Sequence, residues 1–137
     1  MGRKSEEERI KNIYKEYMNN SNTLNKWSPE IIGNSFIEEE FFKSFKYLIK
    51  KNNIDVINKT ILDIGCASGN KIKILLKIGF DKENITGVDI RENCIKNAKL
   101  NFPGSKFYKM DARQIKFSDE KFDFINVFTL FSSILDD

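Results

Sequence analysis

Histidine is absent from the sequence, and cysteine occurs only twice, at Cys66 and Cys94. Without histidine the chain cannot form Ser-His-Asp or Cys-His nucleophile pairs or a histidine-ligated zinc site. Two cysteines are too few for a disulfide framework or a four-cysteine zinc site, so we expect a reduced, cytoplasmic protein with no bound metal. The apolar runs are only a few residues long, which argues against a transmembrane span and a secretory signal.

Neither sign of charge is in large excess. The 137 residues include 23 lysines and arginines and 20 aspartates and glutamates, interspersed along the chain, for a net charge of +3. We therefore expect neither a nucleic acid nor a membrane as a partner. Apolar residues make up 40% and charged residues 31% of the sequence, a composition typical of one globular domain of this length.

The N-terminal part of the chain, residues 1–59, is predicted to be a helical segment. Serine and glutamate three residues apart form two capping boxes, each followed by apolar residues at helical spacing. The first box predicts a helix over residues 5–20, and the second predicts a helix that begins near residue 35. The residues of the two boxes and of the apolar face of the second helix are Ser5 with Glu8, Ser35 with Glu38, and Ile37, Phe41, Phe45 and Leu48.

From residue 60 to residue 137 short apolar strands alternate with helices. Strands are predicted at residues 61–64, 85–89, 106–110 and 122–128, and helices at residues 72–78 and 92–101. Mostly apolar strands joined through helices indicate an α/β fold, in which a parallel sheet is covered by helices on both faces. The expected strand order, 3-2-1-4, makes a switch point at strand 1, where such sheets bind ligands.

The strongest functional signal is the loop between the first strand and its helix, Asp63-Ile-Gly-Cys-Ala-Ser-Gly69. Small residues let the backbone pass close to a ligand, glycine adopts the positive φ that such turns need, and the amides that follow favour polar groups. The alternative is a tight turn without a ligand. Ala67 and Asn70 break the dinucleotide fingerprint, and the Gly-Lys-Ser/Thr of a phosphate-binding loop is missing. The carboxylate of Asp63 suits a ligand that carries a positive charge or a donor amine.

Two further acids follow the second and third strands. Asp89 stands twenty residues after Gly69, where it can accept hydrogen bonds from both hydroxyls of a ribose; the alternative is an N-cap of the next helix. Asp111 with Ala112 can read the edge of an adenine; the alternative is a solvated loop aspartate. With Asp63, these acids place three carboxylates at the carboxyl ends of three successive strands, a pattern that favours the functional interpretation.

The order and spacing of these motifs resemble those of class I S-adenosylmethionine-dependent methyltransferases over about residues 60–135. The loop at 63–69 is similar to the family's glycine-rich motif, Gly87-Val-Asp-Ile90 to its ribose-binding acid, Met110-Asp-Ala112 to its adenine-binding motif, and residues 117–124 to the segment before its fourth strand. The resemblance implies a Rossmann-like fold and S-adenosyl-L-methionine as cofactor. The cofactor contacts that it implies are Asp63, Gly65, Cys66, Ala67, Gly69, Asp89, Ile90, Asp111, Ala112 and Asn126.

The resemblance also implies roles for these residues. Asp89 would hold the ribose hydroxyls, Ile90 would pack on the adenine, and Asp111 would contact its amino edge. Ala67 stands where the family more commonly has glycine, which predicts a slightly lower affinity. Residues near the methyl group or in an N-terminal lid, similar to the helices that cap the cofactor in bacterial small-molecule members, are Trp27, Asn34, Phe128 and Thr129.

Members of this family have seven strands in the order 3-2-1-4-5-7-6, whereas this chain reaches only the fourth. We expect a fragment or a short form of the fold, with strand 4 as an apolar edge through which copies self-associate. The resemblance implies methyl transfer, and by analogy alone we expect a small-molecule or glycan-type acceptor. Methylation of the amino groups of nucleobases or glutamine has no support, because residues 126–129 lack the Asn/Asp-Pro-Pro-Tyr motif. The alternative is a non-catalytic module that binds the cofactor or a nucleotide.

Overall fold

The computed structural model describes residues 5–19, 32–128 and 130. Two of the predicted lid and substrate residues, Trp27 and Thr129, lie outside these residues. The helices of the described part are α1 (Glu6–Asn19), α2 (Ile32–Lys51), α3 (Ile72–Ile78) and α4 (Glu92–Asn101), and its strands are β1 (Ile61–Ile64), β2 (Ile85–Asp89), β3 (Lys106–Lys109) and β4 (Phe124–Val127). A single turn of 3₁₀ helix, Lys82–Asn84, precedes β2.

The two predicted capping boxes have different outcomes. The first is confirmed, because the hydroxyl of Ser5 accepts a hydrogen bond from the amide of Glu8 and the amide of Ser5 donates to Oε2 of Glu8, both at 3.3 Å. The second is wrong, because α2 already begins at Ile32. Ser35 therefore lies inside the helix, where the extended conformation of an N-cap residue is not available.

The apolar face predicted for α2 is only partly packed. The rings of Phe41 and Phe45 contact each other, with centroids 5.9 Å apart. Ile37 and Leu48, in contrast, are 48% and 53% exposed. Helical spacing thus identified which apolar residues share a face, but not which of them are covered.

The sheet has the order β3-β2-β1-β4, and its three strand pairs are all parallel. This arrangement confirms the predicted α/β fold and strand order. In the register, Asp63 of β1 lies opposite Gly87 of β2 and opposite Asn126 of β4. Paired side chains of a parallel sheet project from the same face, and every second residue of a strand returns to it, so Asp89 shares the face of Asp63 and Asn126.

Burial is concentrated in the two central strands. Every residue of β2 is buried, and so are the first three of β1, which fits strands that are covered on both faces. α3 and α4 add Ile72, Leu75, Ile95 and Ala98 to this core. A fully buried aliphatic side chain contributes about 1.5–3 kcal/mol, so these strands hold the loops at their carboxyl ends firmly in place. β4 is the outer strand beside β1, and its Ile125 is 64% exposed.

The chain divides into two compact units, residues 1–52 and 53–137. The sheet and all three predicted carboxylates belong to the second unit. The described helices include none that is long and apolar enough to cross a membrane.

Candidate functional site

The loop after β1 is a tight turn in which alternate residues adopt left-handed backbone conformations. The φ angles are 77° at Gly65, 49° at Ala67 and 91° at Gly69. The amides of Gly65 and Cys66 both donate to the carbonyl of Val88, at 2.8 and 3.0 Å, so the loop is fastened to β2. The positive φ angles predicted from the glycine spacing are present, and one of them is at an alanine.

Packing explains two glycines of this region. A Cβ at Gly69 would lie 2.5 Å from Cε2 of Phe102, the residue that follows α4. A Cβ at Gly87 would lie 2.8 Å from Sγ of Cys66 and equally close to the ring of Phe107. The space that a side chain would need at these positions is therefore filled by the protein. The small size of Gly69, which the sequence interpretation assigned to ligand approach, has a structural cause.

Asp89 is buried and its carboxylate is fully engaged. Oδ2 accepts the amide of Ala67 at 2.9 Å and Nη2 of Arg91 at 3.2 Å, while Oδ1 accepts the amide of Arg91 at 2.9 Å and its Nε at 3.0 Å. A carboxylate has about four acceptor sites, so this one is saturated. Asp89 joins the glycine-rich loop to the end of β2. The alternative that it caps the following helix is wrong, because the helix has no side-chain cap.

Asp63 lies at the end of β1, and its carboxylate, unlike that of Asp89, is not saturated with hydrogen bonds. Its Oδ1 accepts a hydrogen bond of 2.6 Å from Nδ2 of Asn126, but its Oδ2 is buried and has no hydrogen-bond partner among the described residues. Burial raises the pKa of Asp63 to about 6, against the lowering effects of the Asn126 hydrogen bond and of the positive charge on Lys71. A buried polar atom without a partner is rare, and this one fits a ligand that donates a hydrogen bond.

The two cysteines contribute packing rather than reactivity. Cys66 is 3% exposed and Cys94 is 8% exposed, and both are free thiols. Burial raises the pKa of each thiol, so both stay protonated at neutral pH. Cys66, predicted as a cofactor contact, places its sulfur against Gly87, and its own amide is used by Val88.

Asp111 is brought beside the end of β2, because the amide of Met110 donates to the carbonyl of Asp89 at 3.0 Å. Its carboxylate accepts Nη2 of Arg113 at 2.8 Å and the amide of the same residue at 2.9 Å. These hydrogen bonds lower the pKa of Asp111, which is ionised at neutral pH. Ile90 and Ala112, the predicted adenine contacts, are half-buried at the same edge of the sheet.

The end of β4 adds an aromatic group to this edge. Phe128 follows the strand, and Nζ of Lys71 lies 4.3 Å from the centroid of its ring, a cation–π contact. The last predicted lid residue, Asn34, is in α2 and belongs to the first compact unit.

Two arginines of the site were missed by sequence reasoning. Arg91 and Arg113 each fold back onto the aspartate two positions before them, with the same pairing of backbone amide and guanidinium. The signal was present as a repeated Asp-x-Arg at the ends of β2 and β3. The two pairs differ in exposure, since the side chains of Arg91 and Asp89 are 13% and 6% exposed and those of Arg113 and Asp111 are 37% and 29% exposed.

Comparison with known families identifies the class of protein that carries this site. A family model described as a methyltransferase domain matches residues 61–137, more than half of the chain. The chain therefore belongs to the class I S-adenosylmethionine-dependent methyltransferases, as its motifs predicted. The narrower assignment to bacterial small-molecule members stays a prediction. No curated protein sequence matches the chain.

Several solved structures share the fold. Magnesium protoporphyrin IX methyltransferase (ChlM) from Synechocystis PCC 6803, solved with bound SAM, matches with a TM-score of 0.64 and 15% identity over 98% of this chain and 67% of that one. The plantazolicin methyltransferase BpumL, solved with a pentazolic desmethylPZN analog and SAH, has a TM-score of 0.53 and 23% identity over 87% of this chain and 48% of that one. DesVI from Streptomyces venezuelae has a TM-score of 0.51 and 17% identity over 64% of this chain and 34% of that one.

These identities establish a common fold and nothing further about activity. The chain spans between about a third and two-thirds of the length of these proteins, from 34% of DesVI to 67% of ChlM. The match with ChlM covers 98% of this chain, so it includes the strands that carry Asp63 and Asp89 at their carboxyl ends.

Proposed function

We propose that the chain binds S-adenosylmethionine at the carboxyl ends of β1, β2 and β3, and that the protein transfers the methyl group to a small-molecule or glycan-type acceptor. The observation that carries this proposal is the buried Oδ2 of Asp63, which has no hydrogen-bond partner among the described residues. Leaving such an oxygen unpaired costs about 1–3 kcal/mol, and more if it is charged. The ammonium group of the cofactor's methionine part offers both a donor and a positive charge, so the residues present fit this group.

The other carboxylates have complementary roles in the proposal. Asp89 shapes the glycine-rich loop through its hydrogen bond to the amide of Ala67. Because its four acceptor sites are filled, ribose hydroxyls can bind it only by replacing the two bonds from the Arg91 side chain. Ile90 and Ala112, half-buried at this edge, provide apolar surface for the adenine.

The bound cofactor supplies an electrophilic methyl group on a sulfonium centre, and transfer of this methyl group leaves a neutral thioether. The chain's own residues then have to bind, orient and exclude water, because positioning provides most of the acceleration in such a transfer. A general base is optional if the acceptor is already nucleophilic. This requirement is compatible with a sequence that contains no histidine.

The proposed class of acceptor rests on analogy with the fold. Residues 126–129 read Asn-Val-Phe-Thr, so nothing favours methylation of the amino groups of nucleobases or glutamine. Small molecules appear among the fold's relatives, as the name magnesium protoporphyrin IX methyltransferase says of that protein. A small-molecule or glycan-type acceptor is therefore our choice, by analogy with the fold.

The second candidate function is a binding module that holds the cofactor without turnover. Its basis is that the features described above, the unpaired Oδ2 of Asp63 and the loop held by Asp89, fit the cofactor rather than an acceptor. The two functions differ in one measurement, the transfer of a labelled methyl group to a mixture of cellular small molecules. Binding without transfer supports the module, and transfer supports the enzyme.

Cofactor binding itself is tested by thermal unfolding with S-adenosylhomocysteine. At about 100 times its dissociation constant, the ligand should stabilise the fold by roughly 2.7 kcal/mol. NAD and ATP serve as controls, because they share the adenosine part but lack the amino-acid part. A shift with either control and none with S-adenosylhomocysteine would overturn the proposal.

We also propose that the protein is cytoplasmic, because both cysteines are buried free thiols, which suits a reducing compartment.

We further propose that two copies pair through β4. Among the described residues β4 is the outer strand of the sheet, and its Ile125 is 64% exposed. Light scattering should show a mass that rises with concentration, and Ile125→Lys should abolish the rise because an edge charge blocks pairing. A constant monomer mass in the wild type would refute the pairing.

A further inference from the structure

Asn126 is a polar side chain on an otherwise apolar strand, with Phe124, Ile125 and Val127 as its neighbours in β4. It is half-buried, and the register places it directly opposite Asp63 on the same face of the sheet. Its Nδ2 donates to Oδ1 of Asp63 at 2.6 Å. This distance is short even for a hydrogen bond to a charged acceptor, so the amide is held close to the carboxylate.

We infer that Asn126 is a positioning residue for the cofactor: its amide occupies Oδ1 of Asp63, fixes the plane of the carboxylate, and leaves Oδ2 as the acceptor for the cofactor's ammonium group. This inference rests on the proposed function. It differs from the prediction that Asn126 contacts the cofactor itself, because here the residue acts only through Asp63.

The hydrogen bond has a second consequence, which concerns ionisation. Burial raises the pKa of Asp63 to about 6, and the bond from Asn126 opposes that rise. A hydrogen bond to the charged form of a carboxyl group lowers its pKa, by one to two units at the usual strength of such bonds. Without Asn126 the pKa would move into the range of neutral pH, and much of Asp63 would be protonated there. A protonated Asp63 would not attract an ammonium group.

Other charges near Asp63 do not replace this contribution. The positive charge of Lys71, which precedes α3, lowers the pKa of Asp63, and the negative charge of Asp89, at the end of β2, raises it. Cys66 in the loop is a neutral thiol, because burial raises its pKa. From β4 the group that faces the carboxylate is the amide of Asn126. This amide is uncharged and does not titrate between pH 5 and 8.5.

The test is the pH profile of S-adenosylhomocysteine binding, measured by calorimetry between pH 5 and 8.5. Wild-type affinity should rise with pH through about 6 and then level off, because binding requires the ionised carboxylate. In Asn126→Leu, which keeps the volume but removes the donor, the midpoint should move up by about one to two pH units. The affinity should then fall about tenfold at pH 6 and stay within about twofold of wild type at pH 8.5.

Further variants separate this role from others. Asn126→Ser keeps a hydrogen-bond donor, so the midpoint of its pH profile should lie between those of the wild type and the leucine variant. Asn126→Ala should behave like the leucine variant, and it replaces that variant in the test if leucine disturbs the fold. Asp63→Asn should bind weakly with no dependence on pH over this range. Thermal unfolding at each pH checks that every variant is folded.

Three results would overturn the inference. An equal loss of affinity at all pH values would mean that Asn126 contacts the cofactor or only packs. An unchanged profile would mean that Asn126 has no part in binding, and a pH dependence that persists in Asp63→Asn would assign the titration to another group. If the wild type does not bind at any pH, the proposed function fails as well. Wild-type binding with an unshifted midpoint in the variants refutes only the role of Asn126.

Discussion

Asp63 and Asp89 stand at the ends of adjacent strands, on the same face of the sheet, and both are buried, at 2% and 6% exposure. Their hydrogen bonding is opposite. Asp89 accepts four hydrogen bonds, two from backbone amides and two from a guanidinium group. Asp63 accepts one, from Asn126, and its second oxygen has no partner in the described part of the chain.

This difference separates a scaffold carboxylate from a ligand carboxylate. A buried charge that is fully paired stabilises the geometry around it, and here Asp89 fixes the loop on which the site depends. A buried carboxyl group with an unpaired oxygen lowers the stability of the fold, and such groups are concentrated where a ligand completes the bonding. The motif positions alone predict that both residues bind the cofactor. Their hydrogen bonds indicate that Asp89 supports the loop and that Asp63 is available to a ligand.

The largest expected effect is the loss of the scaffold carboxylate. Asp89→Ala removes four hydrogen bonds and leaves the guanidinium of Arg91, which is 13% exposed, without its carboxylate. Breaking one side of a buried ion pair costs about 3–5 kcal/mol. The variant should therefore be strongly destabilised in urea or thermal unfolding. It should also bind S-adenosylhomocysteine at least tenfold more weakly, because the loop loses its support.

Asp111→Ala is the matched control for that variant. Asp111 forms the same type of pair with Arg113, but at 29% and 37% side-chain exposure. Exposed pairs are worth about 0–1 kcal/mol, so this variant should remain close to wild type in stability. Equal destabilisation by the two substitutions would show that burial does not distinguish the two pairs, and the comparison would lose its basis.

Asp63, the ligand carboxylate, should have the opposite effect on stability, because its charged form destabilises the fold. The pKa of Asp63 is raised to about 6, so the folded state holds its proton more tightly than the unfolded state, whose ordinary value is 3.8. Between these values the unfolded chain has lost the proton and the folded one has not, so stability falls as pH rises from about 4 to about 6. Above that window the loss is complete.

Asp63→Asn should remove this dependence. At pH 8, without ligand, the variant should be more stable than wild type by about 1–3 kcal/mol, since two pKa units correspond to about 2.7 kcal/mol and the new amide group is itself unpaired. At pH 3.5 the advantage should vanish. Urea unfolding of both proteins at the two pH values measures it, and a variant that is less stable than wild type at pH 8 would show that the carboxylate is structurally required.

The sequence predicts where the acids lie in the sheet but not which groups they contact. The apolar runs and the glycines placed the three acids at successive strand ends, and strand order put β4 beside β1. The register that pairs Asp63 with Asn126 depends on packing between residues 63 positions apart, which no local pattern contains. The Asp-x-Arg pairs depend on arginine rotamers, and the contact of Gly69 with Phe102 depends on where α4 ends. Such features are decided by tertiary structure.

The smallest expected effect concerns Ala67, whose amide links the loop to the scaffold carboxylate. Its φ of 49° lies in the left-handed region, where a Cβ costs about 1–2 kcal/mol. Ala67→Gly removes that cost and adds about 0.4–1 kcal/mol of chain entropy to the unfolded state, so a net stabilisation of about 0.5–1 kcal/mol is expected. The hydrogen bond to Oδ2 of Asp89 comes from the backbone and survives the change. Ala112→Gly is the control, because Ala112 is not among the residues with positive φ and should lose stability when replaced. If both glycine variants lose stability equally, the alanine at 67 is unstrained, and the departure from the family's usual glycine has no energetic cost in the loop that Asp89 supports.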